Sequence, residues 1–244
     1  MMYIYNLYIM KKLSALIATG LVAILASASI KAQNIQLHYD LGRNVTTSTI
    51  EMFRADNTGS TFFFVDVDYT PKASGAYLEI AREFCFWQDS EYNWLSAHLE
   101  YNGGLSTAAG SFNNSWLAGA TYSGHNDDFS KTWSVTASYK MIPGTRDLTG
   151  KCQMHNFQLT GVWNLDFCNH WISFNGFADF WREIRTWQGT EFIFISEPQL
   201  WVNLNNIKGW ENTHLSVGTE VEISANFVAK GVHAMPTLAA KWTF

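Results

Sequence analysis

The chain has 244 residues, carries a formal net charge of −5, and is 47% apolar and 16% aromatic. A mean hydropathy of −0.09 excludes a helical membrane protein with several spans. It does not exclude a membrane β-barrel, whose apolar and polar faces average out.

The first 32 residues read as a secretory signal. Lys11 and Lys12 precede the apolar run LSALIATGLVAILASASI, and KAQ follows as a small-residue cleavage site. Cleavage after Ala32 would leave Gln33 first; cleavage after Ala28 is the alternative. Met10, directly before the two lysines, is a natural start, which would make residues 1–9 upstream read-through. The competing reading is an N-terminal membrane anchor, but the run reaches about 18 residues only if every Ser, Thr and Ala is counted. Removing the signal takes Lys11, Lys12 and Lys31 and no acid, so the charge falls from −5 to −8. An acidic exported chain is a poor binder of nucleic acid, which needs Lys and Arg to neutralise phosphates. Cys85, Cys152 and Cys168 form no CxxC and no metal-ligand spacing, so at most one bridge and no disulfide framework is expected.

From residue 33 onward apolar and polar residues alternate with period two. IQLHYDL sets Ile35, Leu37, Tyr39 and Leu41 against Gln36, His38 and Asp40. LSAHLEYN sets Leu95, Ala97, Leu99 and Tyr101 against Ser96, His98, Glu100 and Asn102. TWSVTASYKM, NFQLTGVWNLDF and HLSVGTEVEIS repeat the pattern further along. Turn-rich pieces such as RADNTGS, PKASG, NGGLSTAAGS and PGTRDLTG punctuate the runs. The reading predicts about twelve strands, at 34–41, 45–53, 60–70, 76–86, 94–102, 114–123, 131–141, 154–167, 170–182, 190–202, 212–224 and 232–244. No helical period follows the signal.

Two architectures make such strands: a soluble β-sandwich, and a transmembrane antiparallel up-and-down β-barrel over residues 33–244. Three features favour the barrel. The runs match the roughly 9–11 tilted residues that cross a bilayer. Tyr39, Tyr69, Tyr101, Trp116, Tyr139 and Phe192 gather at one set of strand ends, and Trp94, Tyr122, Trp133, Phe167, Trp171 and Trp242 at the other, as paired interfacial girdles do. Carboxylates also recur mid-strand on the polar face. Arg82 falls on the apolar face, where it would cost roughly 2–4 kcal/mol at mid-bilayer and about 0–1 near an interface. It is therefore expected at a rim or after a bulge. Pro198 and Pro236 remove ladder donors and predict bulges or irregular pairing.

In a barrel the polar face lines the lumen. Parity turns inward Phe62, Phe64, Asp66 and Asp68 on the third strand and Tyr77 and Glu79 on the fourth. Glu100 follows on the fifth, Phe177, Asp179 and Trp181 on the ninth, Glu197 on the tenth, and Glu220 and Glu222 on the eleventh. Rings stack on flat solutes and carboxylates accept their hydrogen bonds; a lumen bearing many carboxylates repels anions. The competing reading is that these residues pair with Lys140, Lys241 and backbone to fill a small barrel. His38, His98, His214 and His233 share the polar face. Ser96 and His98 sit at i and i+2, which invites a lipid-hydrolase reading, but the pair would point away from the membrane. No HxxxH or HExxH pattern indicates a metal. No cofactor and no enzymatic activity is expected.

STFFFVDVDY, AYLEIAREF, FNGFADFW and SEPQLWVNL resemble the Tsx-like nucleoside-specific channels of Gram-negative outer membranes, and an uncharacterised, secreted branch related to them. The resemblance spreads over roughly residues 34–244 in short motifs. It implies a twelve-stranded monomeric barrel in outer-membrane lipid that passes nucleosides, or small hydrophilic solutes of that kind, through a narrow lumen without energy coupling. HAMPTLAAKWTF ends on Trp242 and Phe244, and looks like the aromatic terminal signal that the barrel-assembly machinery reads. Parity puts Leu238, Ala240, Trp242 and Phe244 toward lipid, with Phe244 paired to the segment beginning near Asn34. The alternatives are a non-conducting structural or surface-interaction barrel and, further off, the lipid hydrolase.

Overall fold

The computed structural model describes residues 33–107, 110–111 and 114–244; the predicted signal at 1–32 lies outside the described residues. Alternation becomes strand almost throughout. The strands are β1 (Gln33–Asp40), β2 (Thr46–Asp56), β3 (Gly59–Tyr69), β4 (Ala73–Phe84), β5 (Leu95–Ser106), β6 (Ser115–His125), β7 (Lys131–Met141), β8 (His155–Phe167), β9 (Ile172–Arg185), β10 (Thr190–Ser196 and Gln199–Asn203), β11 (Leu215–Ala225) and β12 (Val232–Thr243). A two-residue piece, Gly110–Ser111, extends the β5 hairpin, and a short 3-10 turn spans Leu204–Asn206.

Each strand pairs antiparallel with its chain neighbours, and β1 pairs with β12, so the sheet closes into a twelve-stranded barrel. Closure leaves no open edge, the condition under which a sheet can sit in lipid. At the seam Asn34 faces Thr243, and the Phe244 amide donates to the Gln33 carbonyl over 2.9 Å.

The burial pattern is the reverse of a soluble sandwich. The buried inward residues are mostly polar, among them Gln36, His38, Glu100, Asn102, Thr121, Lys140, Gln158 and Asp179. Ile35, Leu37, Leu78, Ile80, Leu99, Val135, Leu159, Val217 and Leu238 instead stand exposed on the outside. In water that belt would forfeit roughly 1.5–3 kcal/mol for each side chain left unburied, and lipid removes the penalty. The two aromatic girdles form. Trp94, Tyr122 and Trp133 make a chain with ring centroids 5.2 Å apart at the end carrying residues 33 and 244. Tyr101–Trp116 (4.7 Å) and Phe180–Phe192 (5.8 Å) lie toward the opposite end.

Arg82 points outward at the rim beside the β2–β3 turn. Its guanidinium grips both Asp56 carboxylate oxygens at 2.7 and 2.9 Å and also bonds Thr61 and Thr58. The rim position, not a bulge, satisfies the charge. Neither proline adds a residue to its strand. On both sides of Glu197–Pro198 the registers to β9 and β11 are the same, so the ladder is interrupted without slipping. The β11–β12 register is likewise unchanged across Pro236.

Candidate functional site

The inner wall is where this chain concentrates its chemistry, and it divides into four neighbourhoods. The first is a carboxylate network on β4 and β5. His98 stands between two acids, with Nδ1 2.6 Å from Glu83 and Nε2 3.1 Å from Glu100. Ser96 donates to Glu83, and Thr121 does so over 2.9 Å. Asn102 bridges onward, 3.1 Å from Glu100 and 3.5 Å from Glu79, and the Tyr77 hydroxyl donates to Glu79 over 2.6 Å. Ser96 and His98 thus share Glu83 instead of bonding each other. The nucleophile–base contact of a hydrolase is not formed.

The second neighbourhood continues along β2, β3 and β4. The rings of Phe62, Phe64 and Tyr77 follow one another at 6.0 Å intervals. Beside them Asp66 accepts from Thr49 over 2.5 Å and Asp68 from Thr47 over 2.6 Å, while Glu51 accepts from Asn34 over 3.0 Å. These residues are half-buried, so this wall keeps some accessible surface.

The third neighbourhood centres on Trp201, which is fully buried. Its indole N–H donates to Gln199 over 3.0 Å, the Lys241 amine sits 4.2 Å above its ring, and the His38 ring meets it edge-on at 6.0 Å. Gln199 donates to Glu220 over 2.6 Å and reaches Gln36 at 3.4 Å. β1 and β10 are separated in the sheet by β11 and β12, so the contacts to His38 and Gln36 cross part of the lumen. Gly218 makes the arrangement possible, because a Cβ there would stand 2.2 Å from the Leu200 carbonyl oxygen and 2.7 Å from the Trp201 ring.

The fourth neighbourhood is apolar. Trp181, Ile193 and Ile195 form a buried cluster with Phe177 and Phe227 packed against it. Trp181 donates to Glu183 over 3.0 Å, and the Lys140 amine lies 4.4 Å from its ring while bonding Gln158 at 2.6 Å. Asp179 accepts from Thr160 over 2.5 Å.

The predicted lumen residues therefore separate. Tyr77, Glu79 and Glu100 join one network; Phe62, Phe64, Asp66 and Asp68 form the adjoining strip; Phe177 and Trp181 enter a dry cluster. Glu197 sits at the break in β10, and Glu222 lies 3.5 Å from Arg43 of the first loop. Lys140 and Lys241 sit on indole faces, a desolvated cation–π contact worth about 2 kcal/mol. Among the described residues neither lysine forms an ion pair with a carboxylate. His214 lies ahead of β11, with its ring 5.5 Å from Trp242 at the rim, and is not part of this wall. Sequence reasoning put Gln36 on the inward face without a role and missed Glu51, Glu83, Gln199, Trp201, Ile193 and Ile195. Parity alone carried Glu83, two residues past Ala81 and four past Glu79. Trp201, Ile193 and Ile195 share the parity of Glu197 in TEFIFISEPQLWVNL, but an apolar side chain on a mixed face carries no sign of an inward role.

The fold matches that of a solved porin. A structure of the NanC porin superposes with a TM-score of 0.58 at 8% identity, covering 87% of this chain and 100% of that one. The KdgM porin gives 0.47 at 11% identity, covering 87% and 99%. Omp33 of Acinetobacter baumannii gives 0.43 at 12% identity, covering 89% and 100%. No curated protein matches the chain in sequence. Residues 32–244 match the model of a domain of unknown function, DUF5020, and the chain belongs to that family.

Proposed function

We propose that this barrel is an outer-membrane channel for passive diffusion of small hydrophilic solutes that are neutral or cationic, with nucleosides as the class its wall suits best. The carrying observation is the half-buried strip of Phe62, Phe64 and Tyr77 beside Asp66, Asp68 and Glu79. Rings at that spacing offer stacking surface to a flat base, and the acids beside them accept hydrogen bonds from ribose hydroxyls or base amines. The carboxylates disfavour anions electrostatically. On this reading the chain is exported by residues 1–32 of its precursor, inserted as a monomer by the barrel-assembly machinery, and resides in the outer membrane of a Gram-negative bacterium.

Planar-bilayer recordings under a KCl gradient test the proposal. The expected result is cation-selective conductance that falls when nucleosides are added, with the nucleoside effect weakened in Phe64→Ala. Anion selectivity, or no conductance from correctly folded protein, would overturn it. The second reading, a non-conducting structural barrel, draws support from the contacts of Trp201 with His38 and of Gln199 with Gln36 that cross the lumen. It predicts no flux in any variant that keeps those contacts.

A further inference from the structure

The apolar cluster inside the lumen is closed by a residue that does not belong to a strand. Residues 226–231 join β11 to β12 at the end opposite the termini. Asn226 reverses the chain there at φ +59, a conformation that Asn tolerates well. Its side chain bonds the Phe192 carbonyl and receives the Gly231 amide, both at 3.0 Å. The turn directs Phe227 onto Trp181, edge to face at 5.9 Å, over Ile193 and Ile195. Ile193 has no solvent exposure at all, so a dry plug occupies part of the channel.

One side chain fastens the loop in place. Arg185, at the end of β9, donates Nη1 to the carbonyls of Asn226 (3.1 Å) and Phe227. Its guanidinium lies 5.6 Å from the Phe227 ring and 5.8 Å from that of Trp187, and Glu183 sits 3.5 Å away. The Arg185 Nε is buried without a partner, so the side chain's placement is governed by the loop carbonyls and Glu183. An apolar constriction excludes water and with it hydrated solutes, and the passage wets and conducts when the constriction widens.

We propose that Phe227 is the moving part of a hydrophobic gate. Closed, it narrows the lumen against Trp181, Ile193 and Ile195, and Arg185 is the latch. This deepens the channel reading and rests on it for its meaning, but its test has a readout of its own.

The experiment introduces Ile193→Cys into a chain carrying Cys152→Ser and Cys168→Ser, the two exposed thiols. Modification by a charged, membrane-impermeant methanethiosulfonate is timed in vesicles, alongside conductance, with heat-modifiable gel mobility confirming a closed barrel. With the native latch the thiol should be protected. Arg185→Gln or Phe227→Ala should each raise its labelling rate on the order of tenfold, about 1.4 kcal/mol of latch free energy, and raise conductance. Equal labelling with and without the latch, or protection that persists in both variants, would overturn the gate. Faster labelling without conductance would leave the gate standing and remove the channel function. Conductance with unchanged labelling would do the opposite.

Discussion

Gly218→Ala puts the packing of the lumen to a quantitative test. The added methyl would stand 2.2 Å from the Leu200 carbonyl oxygen and 2.7 Å from the Trp201 ring. The first neighbour is backbone and the second has no exposed surface into which to retreat. Overpacking of this kind costs about 1–3 kcal/mol, and this site belongs at the upper end. Restricting the unfolded chain returns about 0.4–1 kcal/mol. A net loss near 2 kcal/mol is roughly a thirtyfold drop in the folding constant, since about 1.4 kcal/mol is tenfold. Gly161→Ala is the control. It is also a strand glycine, but a Cβ there meets nothing within 4 Å, so only the gain remains. Reversible urea unfolding in phosphatidylcholine vesicles, followed by tryptophan emission and gel mobility, measures both. If Gly218→Ala unfolds at the same urea concentration as Gly161→Ala, Trp201 is not packed across β11 as described.

Asp56→Ala strips Arg82 of its bidentate partner at the rim beside the β2–β3 turn and should lower the urea midpoint only slightly in the same assay, as loss of an exposed pair does; a large loss would place Arg82 deeper in the bilayer. In the loop between β7 and β8, hydrogen bonds from Thr149, then Gln153, hold the Asp147 carboxyl down to about 2 from an ordinary 3.8. A depressed acid supports the fold above its unfolded value and loses that support as pH falls through the folded one. Amide protection of Thr149 and Lys151, both bonded to Asp147, should therefore persist at about pH 3 and fade near pH 2; fading already at the ordinary carboxylate value would refute the assignment. Removing Trp242–Phe244 should deplete the chain from the membrane fraction while leaving the inner wall unaltered; normal insertion would count against the terminus as an assembly signal.

Most of the barrel is legible because lipid demands one simple rule, apolar out and polar in, and period two reports it directly. β7 is predicted and observed at 131–141, and the other strands differ by a few residues at their ends. Even VTTSTIEMF, which alternates poorly, forms β2, because its neighbours on both sides supply the register. The lumen is less legible. Parity says which way Glu79 or Trp181 points but not how far a side chain reaches across. Whether a given inward residue lines water or fills space depends on partners from strands far apart in sequence. Gln36 and Gln199 meet 163 residues apart. Pro198 is read in part: the missing N–H does interrupt the ladder at Glu197–Pro198, but Gly176 opposite it lets the backbones approach, so the register does not slip. A Cβ on Gly176 would lie 2.5 Å from the Glu197 carbonyl oxygen.

The seam between β1 and β12 bears on the order in which the barrel assembles. Contacts there join residues as far apart as Gln33 and Phe244, 244 − 33 = 211 positions along the chain. Relative to a hairpin of about ten residues, closing such a loop costs roughly 2.7 kcal/mol more in chain entropy, so the seam forms after the eleven hairpin pairings. Until then β1 and β12 are both unpaired edges, each a template for pairing with another chain. A free intermediate would be short-lived or aggregate. Pairing β1 with β12 removes both edges at once, so closure is also the step that ends the chain's exposure to wrong partners.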